Sequence, residues 1–240
     1  MHWAQAQTAS TPMEDLMTFS IIARCPRTGQ FGIAAATAMP AVGKLLTHAA
    51  AGIGAVATQA RINPYLGIDG LELLREGCDA SEVIERLKGT DPCMSQRQVA
   101  VIDAEGRTAC WTGEQCLPWS GYIQGDGFCV QGNRLTGRNV LEAVVDALNC
   151  TRVLPLVERL MEALAAGDSM GGDRHGESSA TIYIVDHEEY PLWDIRVDHH
   201  RDPMAELRRL HDVFEREVLP ELLSMPTREN PAGDAEEDSI

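Results

Sequence analysis

Short runs in which apolar residues alternate with polar or small ones, joined by turn-forming sequences, predict a succession of β-hairpins. Residues 18–26 (TFSIIARCP) form one strand and residues 31–39 (FGIAAATAM) the returning one, with Pro26 to Gly29 as the turn. Residues 50–60 (AAGIGAVATQA) read as a third strand, whose small residues suit close approach by another backbone or a ligand. Residues 98–113 repeat the hairpin pattern around an Ala-Glu-Gly turn, and residues 127–133 give a strand ending in Gly-Asn. Residues 179–186 and 191–200 form the last hairpin.

Helical periodicity separates these runs. Asp79 stands where an N-cap would precede a helix whose Val83, Ile84 and Leu87 share a face. Residues 139–149 and 155–169 form a helical pair, the second opened by Pro155, and residues 203–223 carry Leu207, Leu210 and Phe214 on one stripe. Hairpins and grouped helices, rather than alternating strand-helix units, predict an α+β fold of antiparallel sheets with separate helical layers. A four-layer αββα sandwich satisfies this order, and a two-layer α+β domain is the second choice. The domain is expected to span 17–223. It lies between a leader, residues 1–16, and an acidic, proline-containing tail, residues 224–240, both expected to be disordered.

Composition narrows the function. A net charge of −16 argues against nucleic-acid and membrane-surface partners, both of which are anionic. The seven cysteines show no metal-ligand or CxxC spacing and fit reduced thiols in a cytoplasmic protein. The first residues lack the basic start and apolar run of a secretory signal. P-loop, GxGxxG, GxSxG and HExxH patterns are missing. His199 and His200, adjacent on a strand, point to opposite faces, so neither a metal site nor a cofactor is expected.

What remains is a set of small polar and Gly-rich segments at strand ends: Thr18-Phe19-Ser20, Thr58-Gln59-Ala60, Asn63-Pro64, Gln131-Gly132-Asn133 and Gly171-Gly172-Asp173. Each alone reads as turn or cap chemistry. Together, and with their flanks, they form ordered blocks. These are MTFSIIARCPRTGQFGIAAA, AGIGAVATQARINPYLG, RQVAVIDAEGR, Thr112-Gly113, the Val130 to Gly137 run, GGDRHGESSA and IRVDHHRDPMAELRRL. In these blocks the chain resembles the domain of unknown function 1028 family (DUF1028), over about residues 17–212. That family is grouped with the N-terminal-nucleophile (Ntn) hydrolases.

The resemblance implies the αββα sandwich and a hydrolase of amide bonds in a small-molecule substrate. It makes Thr18, behind Met17, the nucleophile, with its free α-amine as general base. The α-amine pKa of about 7.7–8.0 suits that task and no histidine is needed. Asn133, with the Gly132 and Asn133 backbone, is the implied oxyanion hole. Asp173 and Arg174 would hold the amine or a substrate carboxylate; Gln59 and Asn63 would orient substrate; Ser20 and Ser179 would line the cleft. A homodimer is the expected assembly. The chain departs from the family pattern at His175 (Arg expected), Ser178 (Gln expected) and Thr37-Ala38 (Ser-Lys expected). The residues ahead of Met17 block the Thr18 amine while attached. A non-catalytic binding or assembly protein on the same scaffold is the alternative, and a third reading is an enzyme that uses the cleft without the amine.

Overall fold

The computed structural model describes residues 17–171 and 177–234. Chain order runs β1 (Thr18–Arg24), β2 (Phe31–Thr37), β3 (Thr47–Ala50), β4 (Gly54–Ala60), α1 (Pro64–Arg75), α2 (Ala80–Thr90), β5 (Arg97–Asp103) and β6 (Thr108–Thr112). It continues through β7 (Gly121–Gly125), β8 (Phe128–Asn133), α3 (Asn139–Cys150), α4 (Leu156–Ser169), β9 (Ser179–Val185), β10 (Trp193–Val197), α5 (Pro203–Glu217) and α6 (Leu219–Leu223). Every strand pairing is antiparallel. One sheet has the order β10-β9-β2-β1-β8-β7 and the other β3-β4-β5-β6.

The two-residue period of the strands sorts their side chains into layers. On β1, Phe19, Ile21 and Ala23 face outward and are covered by Val140, Leu141 and Val144 of α3 and Leu160 and Leu164 of α4. Ile22 faces the other way and meets Ala55, Ala57, Ala100 and Ile102 between the sheets. On the second sheet Val56, Val99 and Val101 face outward under Leu66, Leu71 and Leu74 of α1 and Val83, Ile84 and Leu87 of α2. The result is the four-layer αββα sandwich of antiparallel sheets that the hairpin order predicts.

Local chemistry fixes the ends of the helices. Asp79 forms a capping box with Glu82 at the start of α2, and Asp202 caps α5 through the Ala205 N–H. Where α4 crosses β1 a glycine is required: a Cβ on Gly167 would lie 2.8 Å from the Phe19 ring and from Val144. Two strands escape the periodicity argument. Residues 50–60 are not one strand; Gly52, at φ +69°, turns the chain between β3 and β4. The edge strand β7 is half exposed and carries little apolar signal.

Residues 224–234, which follow α6, touch the body of the fold at several points. Tyr190 donates to the Pro226 carbonyl at 3.2 Å, the Asp234 N–H donates to the Ser224 carbonyl at 2.8 Å, and Arg228 pairs with Glu189. The expected leader, residues 1–16, and residues 235–240 lie outside the described residues. The sulfurs of Cys110 (β6) and Cys129 (β8) meet across the sheets, with Cα atoms 7.4 Å apart. Cys25, Cys78, Cys93, Cys116 and Cys150 are free thiols. No helix among the described residues is long and apolar enough to cross a membrane.

Because Gly167 has no room for a methyl group, Gly167→Ala is expected to cost about 1–3 kcal/mol through overpacking. Urea denaturation followed by circular dichroism measures this; an unchanged midpoint would show that α4 does not bear on Phe19 as described.

Candidate functional site

The layer between the sheets changes character along its length. At one end it is carbon: Ile22, Phe31, Ile33, Ile102 and Val185. At the other end it is carboxamide and hydroxyl. Thr37, Gln59, Gln98, Gln131, Asn133, Ser179 and Thr181 are all buried there, and Thr18 is half buried. The register explains the convergence, since Thr18 stands opposite both Thr37 and Asn133, and Gln59 opposite Gln98.

Buried polar groups are costly unless paired, and Gln98 does most of the pairing. Its carboxamide oxygen accepts from Gln59 Nε2 at 2.7 Å and Asn133 Nδ2 at 3.2 Å. Its Nε2 donates to Thr112 Oγ1 at 2.9 Å and to the Gly132 and Gly121 carbonyls at 2.9 and 3.1 Å. One side chain thus ties the second sheet to the strand that carries Asn133.

Thr18 sits at the mouth of this layer. Thr37 Oγ1 donates to the Met17 carbonyl at 2.6 Å, which commits its one proton. The 3.0 Å contact between the two hydroxyls is then a bond donated by Thr18 Oγ1. Gln59 Nε2 reaches the Thr18 carbonyl at 3.5 Å, while its Oε1 is buried with no partner among the described residues. Met17 itself is 2 % exposed and packed in the outer helical layer.

Two adjoining depressions open here and share Met39 and Ala60. The first, about 190 Å³, is lined by Thr18, Thr37 and Gln59 with an apolar wall that includes Met39, Val42, Leu46 and Ile62. The second, about 520 Å³, is lined by Asn133, Arg134, Arg61, Gln96 and Gln115 among others. Among the described residues, the non-glycine residues at positive φ are Ala41, Ala60 and Arg134, at +62°, +66° and +59°. All three line these depressions. Such left-handed backbone is uncommon and concentrates at functional sites.

The structure brings Thr18, Gln59 and Asn133 together and gives other work to several candidates. Asn63 caps α1 by accepting from the Tyr65 N–H at 3.2 Å and donates to Asp91 Oδ2 at 2.8 Å. Ser179 builds the wall, donating to the Met39 carbonyl at 2.5 Å and accepting from the Val42 N–H at 3.1 Å. Ser20 is buried and accepts from Gln131 Nε2 at 3.3 Å. Gly132 lies within the ladder opposite Phe19 and Gly121, and its carbonyl is taken by Gln98. Asp173 and Arg174 lie outside the described residues; the segment after them returns beside the site, where the Ser178 N–H donates to the Thr37 carbonyl at 2.9 Å. Sequence reasoning missed Gln98, Lys44, Arg61 and Arg134. Gln98 left one signal, a polar residue heading the apolar run Val99 to Ile102. The described residues hold no cluster of metal-ligating side chains.

A half-exposed threonine opens the central strand of an αββα sandwich, with carboxamides behind it and a polar cleft at that end of the stacked sheets. The chain belongs to the family of unknown function DUF1028, whose profile matches residues 18–207. It is similar to the crystal structure of protein SPO2555 from Silicibacter pomeroyi, of the same family. The identity is 26% and the TM-score 0.84, over 92% of this chain and 100% of that one. A fainter likeness, at 10% identity and a TM-score of 0.39, links it to Anbu (ancestral beta-subunit) from Yersinia bercovieri, over 87% of this chain and 98% of that one. No match is found among the curated proteins.

Two predictions test the local geometry. Gln98→Leu strands Gln59, Asn133 and three acceptors, and is expected to cost about 1–3 kcal/mol for each group that finds no new partner. Denaturant unfolding measures the loss, and a variant as stable as the parent would remove Gln98 from its central role. Asp91 gives a pH signature. Burial pushes its pKa up, but hydrogen bonds from Asn63 and the Cys93 N–H and the nearby Arg97 outweigh this and hold it below the ordinary carboxylate value. A depressed folded pKa stabilises above the unfolded pKa, and that contribution is lost as pH falls through the folded one. Asn63→Ala is therefore expected to lose about 1–2 kcal/mol near neutral pH, from cap and Asp91 bond together, and less at about pH 3. Unfolding curves at the two pH values give the difference; an equal loss at both would sever Asn63 from Asp91.

Proposed function

We propose that this protein is an N-terminal-nucleophile hydrolase acting on a small amide. Thr18 is the nucleophile and its α-amine, once Met17 and the residues before it are removed, is the base. The observation that carries this reading is the placement of the Thr18 hydroxyl. It lies half exposed at the first position of the central strand, with the Asn133 carboxamide on the neighbouring strand in direct register.

In the reaction, Thr18 Oγ bonds to the substrate carbonyl carbon as its proton passes to the α-amine. Asn133 Nδ2 has a second proton beyond the one given to Gln98 and can meet the oxyanion. The C–N bond then breaks, the amine departs with the proton held on the α-amine, and water hydrolyses the acyl ester to regenerate Thr18. Gln59 lines the depression, and a turn of its side chain would bring Oε1, buried without a partner among the described residues, to the substrate N–H. Removing Met17 also frees the Thr37 hydroxyl, whose proton the Met17 carbonyl otherwise holds. A cytoplasmic homodimer goes with this reading, supported only by the five free thiols and the family resemblance.

A second reading, a binding protein on the same scaffold, has one observation in its favour: Met17 is buried and Thr18 carries an amide rather than an amine. The mass of the protein isolated from its native cells separates the two, since a chain beginning at Thr18 fits the enzyme and one retaining Met17 fits the binder. In protein that begins at Thr18, Thr18→Ala is expected to lower turnover by at least about a thousandfold while the fold persists. Asn133→Ala should lower kcat by about 10²–10³. The rate should climb with pH through about 7.7–8.0 as the amine is freed. Full turnover by Thr18→Ala would end the nucleophile assignment.

A further inference from the structure

A second hollow lies at the far end of the stacked sheets. β1 runs seven residues from Thr18 to Arg24, so its two ends are about 20 Å apart. At the Arg24 end, the turns after β1, β3 and β5 and the end of β9 surround a space of about 270 Å³. Gly29, Gly52 and Ala104 stand on the three turns, and Arg24, Phe31, Asp186 and His187 bring side chains to the wall.

Two opposite charges line this hollow without meeting. Arg24, Phe31 and Val185 stand side by side in register on β1, β2 and β9, and Asp186 follows Val185. Arg24 and Asp186 are therefore two strand spacings apart, about 10 Å between backbones. The Arg24 guanidinium rests over the Phe31 ring, 5.9 Å from its centroid. Its stem passes the Gly106 turn, where a Cβ would lie 3.5 Å from Arg24 Cδ. The side chain is thus held in place by carbon, and its buried Nε has no hydrogen-bond partner among the described residues. Asp186 Oδ2 accepts from Gln30 Nε2 at 3.2 Å. Its Oδ1 is buried without a hydrogen bond; Nε2 of the largely exposed His187 stands 3.5 Å away. Polar atoms left unmet in this way are costly. Here one is a donor on a cation and the other an acceptor on an anion, and both belong to side chains that line one space.

We infer that this hollow binds a small aliphatic α-amino acid, its carboxylate on Arg24 and its ammonium group on Asp186. A simple anion would meet repulsion from Asp186, and a simple cation from Arg24; a zwitterion satisfies both. The planar fork of an arginine suits a carboxylate. The last torsion of an aspartate is soft, so a small turn presents Oδ1 to the ammonium group. The volume of about 270 Å³ holds roughly nine heavy atoms at the space of one water each, about 30 Å³, which is the size of leucine. The Phe31 ring and the methyl groups of Ala51 and Ala104 offer its side chain a wall of carbon. The site lies away from Thr18 and does not rest on the hydrolase reading.

Calorimetry on the full chain tests this with three ligands. L-leucine carries both charges, L-leucinamide lacks the carboxylate, and N-acetyl-L-leucine lacks the ammonium group. L-leucine is expected to bind about tenfold or more tightly than either analogue, since each analogue forfeits a hydrogen bond to a charged group. Arg24→Gln should erase the preference over L-leucinamide and keep that over N-acetyl-L-leucine. Asp186→Asn should do the reverse. A variant that merely loosens the fold weakens all three ligands and cannot produce this crossed pattern. Absence of L-leucine binding at millimolar concentration, equal affinity for L-leucine and either analogue, or preferences that survive in both variants would overturn the inference.

Discussion

Two sheets stacked face to face leave a gap of about 10 Å that must be filled completely. This protein fills one end with hydrocarbon and the other with amides. The second choice is the demanding one, because a carboxamide in a closed layer has to find its partners among its neighbours. Gln98 meets that requirement by bonding both sheets at once, to Gln59 beside it and to Asn133, Gly132 and Gly121 across the gap. The cleft stands on this joint. Without it the polar end would have to open to water or close with carbon, and in neither case would Thr18 lie against organised donors.

Much of the architecture was legible in the chain because hairpins and amphipathic helices write their periods directly into it. Alternation on β1, with Phe19 and Ile21 to one side and Ile22 to the other, is visible before any coordinates. The capping box at Asp79 is equally local. What was hidden follows from the same logic. The run from Ala50 to Ala60 is too uniformly small for alternation to show its turn at Gly52. The edge strand β7 buries too little on either face to be marked.

The site was legible in part. Thr18, Gln59 and Asn133 lie at strand ends, and strand ends in an antiparallel sandwich meet. Asn63 and Ser179 also lie at such ends, but a nearby backbone or acid claims their side chains first, and spacing cannot foresee that competition. Lys44 ends a single 3-10 turn, and Arg61 and Arg134 sit in loops with no period at all, so only the folded chain shows that they border adjoining depressions. The sequence profile and the likeness to SPO2555 agree with the fold. The chemistry lies in the side chains, which a shared fold does not fix.

Met17 lies sealed in the outer helical layer, its carbonyl gripped by Thr37. Its side chain and its carbonyl are thus both anchored to the folded body. Exposing a free amine on Thr18, as the hydrolase reading asks, would break both anchors at once and leave the outer layer to close over the space of one methionine side chain.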